Sequence, residues 1–248
     1  MLTKLFSYFL FVSVFIIGVF SIANGQFSLT PPSSSEKIDF FIDWSARTFV
    51  PPDYNGKSLP TFNSVVTVSA TPIAAAGKKI NENDYTFNWT IDNVSSLPSN
   101  KSQASFTVGG GSGDDHKIYL RIFDENSDIV NEYFITIPIV SSEVAIYKRN
   151  GNGLTDVING IIYVSAGSQL DLIAKPFFFS NITAENQLVY RWQLDEESAN
   201  QNTLSLNELE ISFPDNIPSG TKYSLSLTVE NPFNIYQLAD KKYTIIVK

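Results

Sequence analysis

Phe87-Asn88-Trp89-Thr90-Ile91-Asp92 is answered further on by Tyr190-Arg191-Trp192-Gln193-Leu194-Asp195. Upstream of each stands the same short phrase, Ala70-Thr71-Pro72 in the first case and Ala174-Lys175-Pro176 in the second. The alanines are 104 positions apart and the tryptophans 103, so the loop inside the repeat has kept nearly its length. A unit of that size is one small domain of roughly 100 residues. The 248-residue chain therefore reads as two copies of one module.

The residues around the repeat give its fold class. Val66, Val68 and Ala70 share one phase, as do Tyr85, Phe87, Trp89 and Ile91, and then Ile118, Leu120 and Ile122. The second copy repeats this with Leu170, Leu172 and Ala174, with Leu188, Tyr190, Trp192 and Leu194, and with Leu225, Leu227 and Val229. Polar residues such as Thr86, Asn88 and Thr90 hold the other phase. Alternation with period two predicts half-buried antiparallel strands. Last strands are predicted at 132–137 and 242–247. Short strands between Pro, Gly and Asn turns predict an all-β chain of two tandem immunoglobulin-like β-sandwiches. Trp89, Trp192, Ala70 and Ala174 are expected in the two cores. Asp92 and Asp195 close the Trp strands, where a carboxylate is expected to accept a backbone N–H of the turn that follows.

Lys4 precedes an uncharged apolar run from Leu5 to Ala23. Small residues at Ala23 and Gly25 fit a signal peptide cut after Gly25. Left uncut, residues 5–23 are long enough to span a bilayer as an N-terminal anchor helix. Both readings export the rest to the cell envelope or extracellular surface, and the second leaves it membrane-anchored. The organisation expected is signal or anchor 1–25, a Pro- and Ser-rich spacer 26–37, a first sandwich 38–140 and a second 141–248. Ile137-Pro138-Ile139-Val140-Ser141-Ser142-Glu143 lacks glycine and is short, which predicts a stiff junction.

The aromatic-x-Trp-x-aliphatic-Asp strand, the alternating aliphatics after it and the closing strand resemble polycystic-kidney-disease-type (PKD) and bacterial immunoglobulin-like modules over residues 38–248. The PKD pattern continues into Gly-Asp-Gly, where this chain has Asp92-Asn93 and Asp195-Glu196. The phrase Phe49-Val50-Pro51-Pro52-Asp53-Tyr54-Asn55-Gly56-Lys57-Ser58-Leu59-Pro60 is similar to exported proteins of candidate-phylum bacteria. The resemblance implies a spacer, an adhesive or a unit that contacts glycan or protein at the cell surface, and it implies no catalysis.

Composition excludes several classes. The net charge is −8 with the acids scattered, so the basic stripe that nucleic acid needs is missing. The chain has no cysteine, which removes thiol catalysis, iron–sulfur clusters and Cys-based zinc sites. No residue is assigned to a cofactor or a metal. Asp124, Asn126 and Asp128 open like a calcium loop, but Ile129 and Ile135 stand where such a loop has Gly and Glu. Ser112, Asp114, Asp115 and His116 are neighbours in one Gly-rich loop rather than groups assembled by a fold, so they make no triad. Asn88, Asn93, Asn100 and Asn181 begin glycosylation sequons, which matter only in a eukaryotic secretory host.

Phe177-Phe178-Phe179 has no simple place in the pattern. Alternation buries one or two of the three, and the remainder is either edge packing or a contact surface for a partner. Phe233 and Tyr236, in the last turn, lie at the same end of the sandwich or at the opposite one. The function expected is a non-enzymatic spacer, adhesion or binding module whose partner is a cell-surface protein or a glycan. Its alternatives are the substrate-binding accessory of a secreted hydrolase system and the subunit of a surface fibre.

Overall fold

The computed structural model describes residues 38–73, 80–93, 95–97, 101–151, 153–156, 160–195, 197–198 and 206–248. The signal, anchor-helix and spacer assignments over residues 1–37 lie outside these. Among the described residues the helical pieces are two single 3-10 turns, Glu82–Asp84 and Glu185–Gln187, and no helix is long and apolar enough to cross a membrane.

Residues Ile38–Lys248 form one compact unit. Its first half holds β1 (Asp39–Ala46), β2 (Thr48–Phe49), β3 (Val65–Ile73), β4 (Thr86–Ile91), β5 (Ser95–Ser96), β6 (Gln103–Thr107), β7 (Asp115–Phe123) and β8 (Ile129–Pro138). The second half holds β9 (Glu143–Asn150), β10 (Gly153–Asp156), β11 (Ile161–Val164), β12 (Gln169–Phe177), β13 (Phe179–Ser180), β14 (Val189–Leu194), β15 (Glu197–Ser198), β16 (Glu208–Ser212), β17 (Lys222–Glu230) and β18 (Leu238–Val247).

In the first half, sheet β1-β3-β6 faces sheet β5-β4-β7-β8. The inward phase of both closes one core, in which Val66, Val68 and Ala70 meet Phe87, Trp89, Ile118, Leu120 and Ile122. In the second half, sheet β10-β9-β12-β16 faces sheet β11-β18-β17-β14-β15. Its core holds Leu170, Leu172 and Ala174 with Tyr190, Trp192, Leu225, Leu227 and Val229. The registers repeat as well. Trp89 lies opposite Leu120 on β7, and Trp192 lies opposite Leu227 on β17. Alternation is strict in these strands because a one-residue slip would turn the whole apolar set to water.

The repeated Ala-x-Pro phrase and the repeated Trp are tied together. The Ala70 N–H donates to the Ser102 carbonyl (2.8 Å), and the Trp89 Nε1–H donates to the adjacent Lys101 carbonyl (3.0 Å). In the second half the Ala174 N–H donates to the Asn207 carbonyl (2.8 Å). Trp192 Nε1 is buried without an acceptor among the described residues.

The repeated Asp also has one geometry. Asp92 and Asp195 both take the left-handed conformation, with φ of 52° and 48°. Each gives its N–H to a carbonyl on the facing strand, Lys117 or Ser224, at 2.8 Å. The left-handed turn carries the residue's own carbonyl out of the ladder. Its carboxylate takes over, accepting the Lys117 N–H at 2.8 Å and the Ser224 N–H at 2.7 Å. Among the described residues the partner of this Asp's carboxylate is thus the neighbouring strand, where a bond to the following turn was expected. Asp tolerates the left-handed region better than most residues, and a short acceptor is what the gap requires.

Four residues, Ile139 to Ser142, separate β8 from β9. The two halves are also joined by a small sheet of their own, in which β2 pairs with β13, Phe49 opposite Phe179 and Thr48 opposite Ser180.

Candidate functional site

Among the described residues, the junction concentrates most of the buried polar side chains. Thr61, Ser64, Ser142, Ser180, Asn231, Asn234 and Gln237 are all buried there. Gln237 sits at its centre, in the turn between β17 and β18. The two N–H groups of its amide Nε2 are shared among three acceptors, Thr61 Oγ1 (2.7 Å), Ser180 Oγ (2.9 Å) and the Phe62 carbonyl (3.1 Å). Its Oε1 accepts the Ser180 N–H and the Asn231 amide, both at 2.8 Å. Asn234 Nδ2 adds a second bond to the Phe62 carbonyl (3.1 Å). Residues of the last turn thereby grip the loop that precedes β3. Fully satisfied buried networks of this kind fix one arrangement, because any shift strands polar groups away from water.

The Phe triplet faces the same junction. Phe179 is 0 % exposed in the second core, and Phe178 is 6 % exposed. Phe178 is held at φ 63°, a conformation that is strained for a bulky side chain. Its N–H donates to the Phe49 carbonyl (2.7 Å), and its ring meets Tyr54 edge-on with centroids 6.0 Å apart. Phe177, half-buried, meets the same tyrosine at 5.5 Å. Lys175 pairs with Asp53 beside them. Phe177 and Phe178 therefore pack against Tyr54 of the first half of the same chain, while Phe179 fills the second core. Phe233 and Tyr236 lie at this end too, since the Ser180 N–H that follows the triplet is held by Gln237.

Beside the interlock opens a cleft of about 400 Å³. Thr61 and Phe62 form one wall, Gly110-Gly111-Ser112 a second, and Tyr236 to Leu238 a third, with Val140 to Ser142 completing the lining. Phe62 and Tyr236 stand nearly perpendicular, with centroids 5.0 Å apart and 78° between the rings. The glycine wall is shaped by Asp114, whose Oδ2 accepts the Gly111 N–H (2.7 Å). Gly110 takes φ 83°, and a Cβ there would come within 3.1 Å of that carboxylate oxygen. A side chain would therefore push the wall out of place.

A second hollow is lined by Asp92, Gly109, Gly110, Asp114, Asp115 and His116. The Gly109 N–H donates to His116 Nε2 (3.3 Å), so Nε2 is an acceptor and the proton resides on Nδ1, which donates to Asp92 Oδ2 (2.8 Å). The ring's partners are thus a backbone amide and the strand-end carboxylate; Ser112 is on the wall of the other cleft. Asp124 Oδ1 accepts the N–H groups of Asn126 and Asp128, both at 2.9 Å, and so closes its own turn. Among the described residues no three acidic or histidine side chains converge on a point where a cation would sit.

Burial raises the Asp92 carboxyl's affinity for its proton, but the Lys117 N–H and the His116 ring together outweigh it, and the net pKa is below the ordinary value. A carboxylate with a depressed folded-state pKa stabilises the fold above its unfolded pKa of about 4, and the stabilisation is lost as pH falls through the folded value. Asp114, Asp115 and His116 face the same hollow. The urea midpoint of the wild-type chain is expected to fall more steeply below about pH 4 than that of Asp92→Asn, whose amide still accepts from Lys117 but does not titrate. Parallel curves would remove Asp92 from the acid response.

Sequence reading did not single out the junction residues Thr61, Phe62 and Gln237, nor a role for Tyr54. One signal for them is present. In the turn from Glu230 to Leu238 the amides Asn231, Asn234 and Gln237 are buried while Phe233, Ile235 and Tyr236 are exposed. That inverts the usual distribution of polar and apolar side chains.

No protein-family profile and no curated protein matches this sequence. Among solved structures, the three N-terminal domains of the Highly Immunogenic Outer Capsid protein (Hoc) of bacteriophage RB49 are similar at TM-score 0.45 and 12 % identity, over 85 % of this chain and 59 % of that one. This chain thus spans about three-fifths of that chain's length. Fibronectin(III)-like modules of Clostridium thermocellum CbhA are similar at TM-score 0.27 and 11 % identity, over 81 % of this chain and 94 % of theirs. SGBP-B of the Bacteroides ovatus mixed-linkage glucan utilization locus, solved with a mixed-linkage heptasaccharide, is similar at TM-score 0.26 and 11 % identity, over 82 % of this chain and 47 % of that one.

Proposed function

We propose that this chain is a non-enzymatic exported protein in which two tandem immunoglobulin-like modules form one stiff spacer that carries a binding surface at the cell envelope or outside the cell. The observation that carries this reading is the Gln237 interlock, which spans both halves with bonds to Thr61, Phe62 and Ser180. A chain that only needed two independent modules could join them with a polar linker. Here the connection is four residues long and is reinforced by paired strands and by the Tyr54–Phe178 contact. Stiffness is useful to a spacer because a fixed orientation lowers the ordering cost when its surface meets a partner. The apolar N-terminal run supports export.

Since the chain has no cysteine, introduced thiols report cleanly. Thr86 and Val189 are exposed and hold equivalent places on β4 and β14. With both changed to cysteine, a membrane-impermeant maleimide should label intact cells, and spin labels on the purified chain should give one narrow distance peak. Labelling only after lysis would oppose export. A broad distance distribution would oppose the stiff spacer.

A further inference from the structure

The cleft at the junction has a composition that selects for one kind of ligand. None of the described residues lining it carries a charge, in a chain with 42 acidic and basic residues. Two of its walls end in aromatic rings that the fold leaves in water, Phe62 and Tyr236, the latter 70 % exposed. The exposed rings are not accidents of a loose loop, because the turn that presents Tyr236 is pinned from beneath by Asn231, Asn234 and Gln237. The interlock consumes the hydrogen-bonding capacity of Gln237, while Ser112 and Ser141 present exposed hydroxyls to the cleft.

We infer that this cleft binds a neutral glycan, a segment of an uncharged hexose polymer. The inference rests on the binding-surface reading above and deepens it by naming the ligand class. A pyranose ring has an apolar face of C–H groups and an equatorial belt of hydroxyls. The C–H face is attracted to the negative face of an aromatic ring, and the hydroxyls require uncharged donors and acceptors at the rim. The Phe62–Tyr236 pair forms a right-angled corner, so a sugar laid in it meets one ring flat and the other on edge. Ser112, Ser141 and Tyr236, all lining the cleft, carry uncharged hydroxyls that can serve as those donors and acceptors. An anionic polymer would find no cation among the described lining residues to offset its desolvation, and a cationic one no carboxylate. A cleft of about 400 Å³ that opens to solvent has room for a short stretch of such a chain.

The test is affinity electrophoresis of the purified full chain through gels holding a β-1,3-glucan, a β-1,4-mannan or an α-1,4-glucan, with polygalacturonate and heparin as charged counterparts. Retardation by at least one neutral polymer and by neither charged one is expected. Tyr236→Ala should weaken that retardation about tenfold or more without moving the thermal midpoint, since the side chain is exposed and its backbone N–H bond to Asn234 survives. Ser112→Trp, which fills the cleft from the glycine wall and leaves the aromatic pair intact, should do the same. Retardation by no neutral polymer, or by charged ones alone, overturns the glycan assignment. Retardation that neither variant changes overturns the site. The stiffness of the junction is read by the spin-label distances, so failure of the glycan inference and failure of the spacer reading are separable.

Discussion

Trp89→Ala is expected to cost about 3–5 kcal/mol of folding stability, the typical loss when a buried tryptophan is truncated. The side chain is 0 % exposed and is the largest fully buried one in the unit. It lies between the two sheets of the first half, opposite Leu120, with Val68 and Ala70 in the same cluster. The surrounding strands are held by ladders on both sides and cannot collapse fully onto the space left behind, so the cavity cost adds to the lost burial. Small domains have net stabilities of about 5–15 kcal/mol, so a loss of this size takes a large share of the total. Trp192→Ala, 3 % exposed in the second core, should cost about as much by the same mechanism. Urea unfolding followed by far-ultraviolet circular dichroism reads both, with Trp89→Phe falling between wild type and Ala. An unchanged midpoint for Trp89→Ala would mean that the indole is not a core anchor.

What the sequence alone discloses follows from the physics of each signal. The strands around Trp89 and Trp192 were legible because burial imposes period two on every inward position, and matching registers in the two halves leave the same pattern twice. The role of Asp92 and Asp195 was half legible. A carboxylate at a strand end reads as a backbone acceptor, but its left-handed φ, which sends the acceptor across to Lys117 or Ser224, leaves no mark in an alternation pattern. The junction was not legible, since its residues occur in one copy only. Tyr54 meets Phe177 and Phe178, and Thr61 meets Gln237, across long stretches of chain that no local period connects. Phe177-Phe178-Phe179 stood out as apolar excess; Phe179 fills the second core, and Phe177 and Phe178 meet Tyr54 of the other half. The inverted turn around Gln237 is visible as apolar residues crowded into a turn, yet burial of its amides becomes evident only when the Phe62 loop is placed over them.

Gln237→Leu tests what joins the two halves. Leucine fills much of the same volume and makes none of the bonds. It leaves the buried Ser180 N–H without its acceptor, and Thr61 Oγ1 and the Phe62 carbonyl without this donor. Asn234 still reaches the Phe62 carbonyl, so that group is the least affected. Each buried polar group left unsatisfied costs about 1–3 kcal/mol, which puts the variant about 2–5 kcal/mol below wild type. The loss falls at the interface rather than within either core. The wild-type chain should therefore melt in one calorimetric transition, and Gln237→Leu should melt in two, each half unfolding on its own. The spin-label distance between positions 86 and 189 should broaden in the same variant, at temperatures where both cores are still folded. Gln237→Glu separates hydrogen bonding from shape, because its carboxylate can accept from Ser180 and Asn231 yet meets the Phe62 carbonyl with an oxygen instead of an N–H. It should weaken the junction as leucine does, and the effect should shrink as acid protonates the carboxylate. If Gln237→Leu melts in one transition at the wild-type midpoint, the halves are held by the β2–β13 pairing and the Tyr54 ring contacts, and the amide network is incidental.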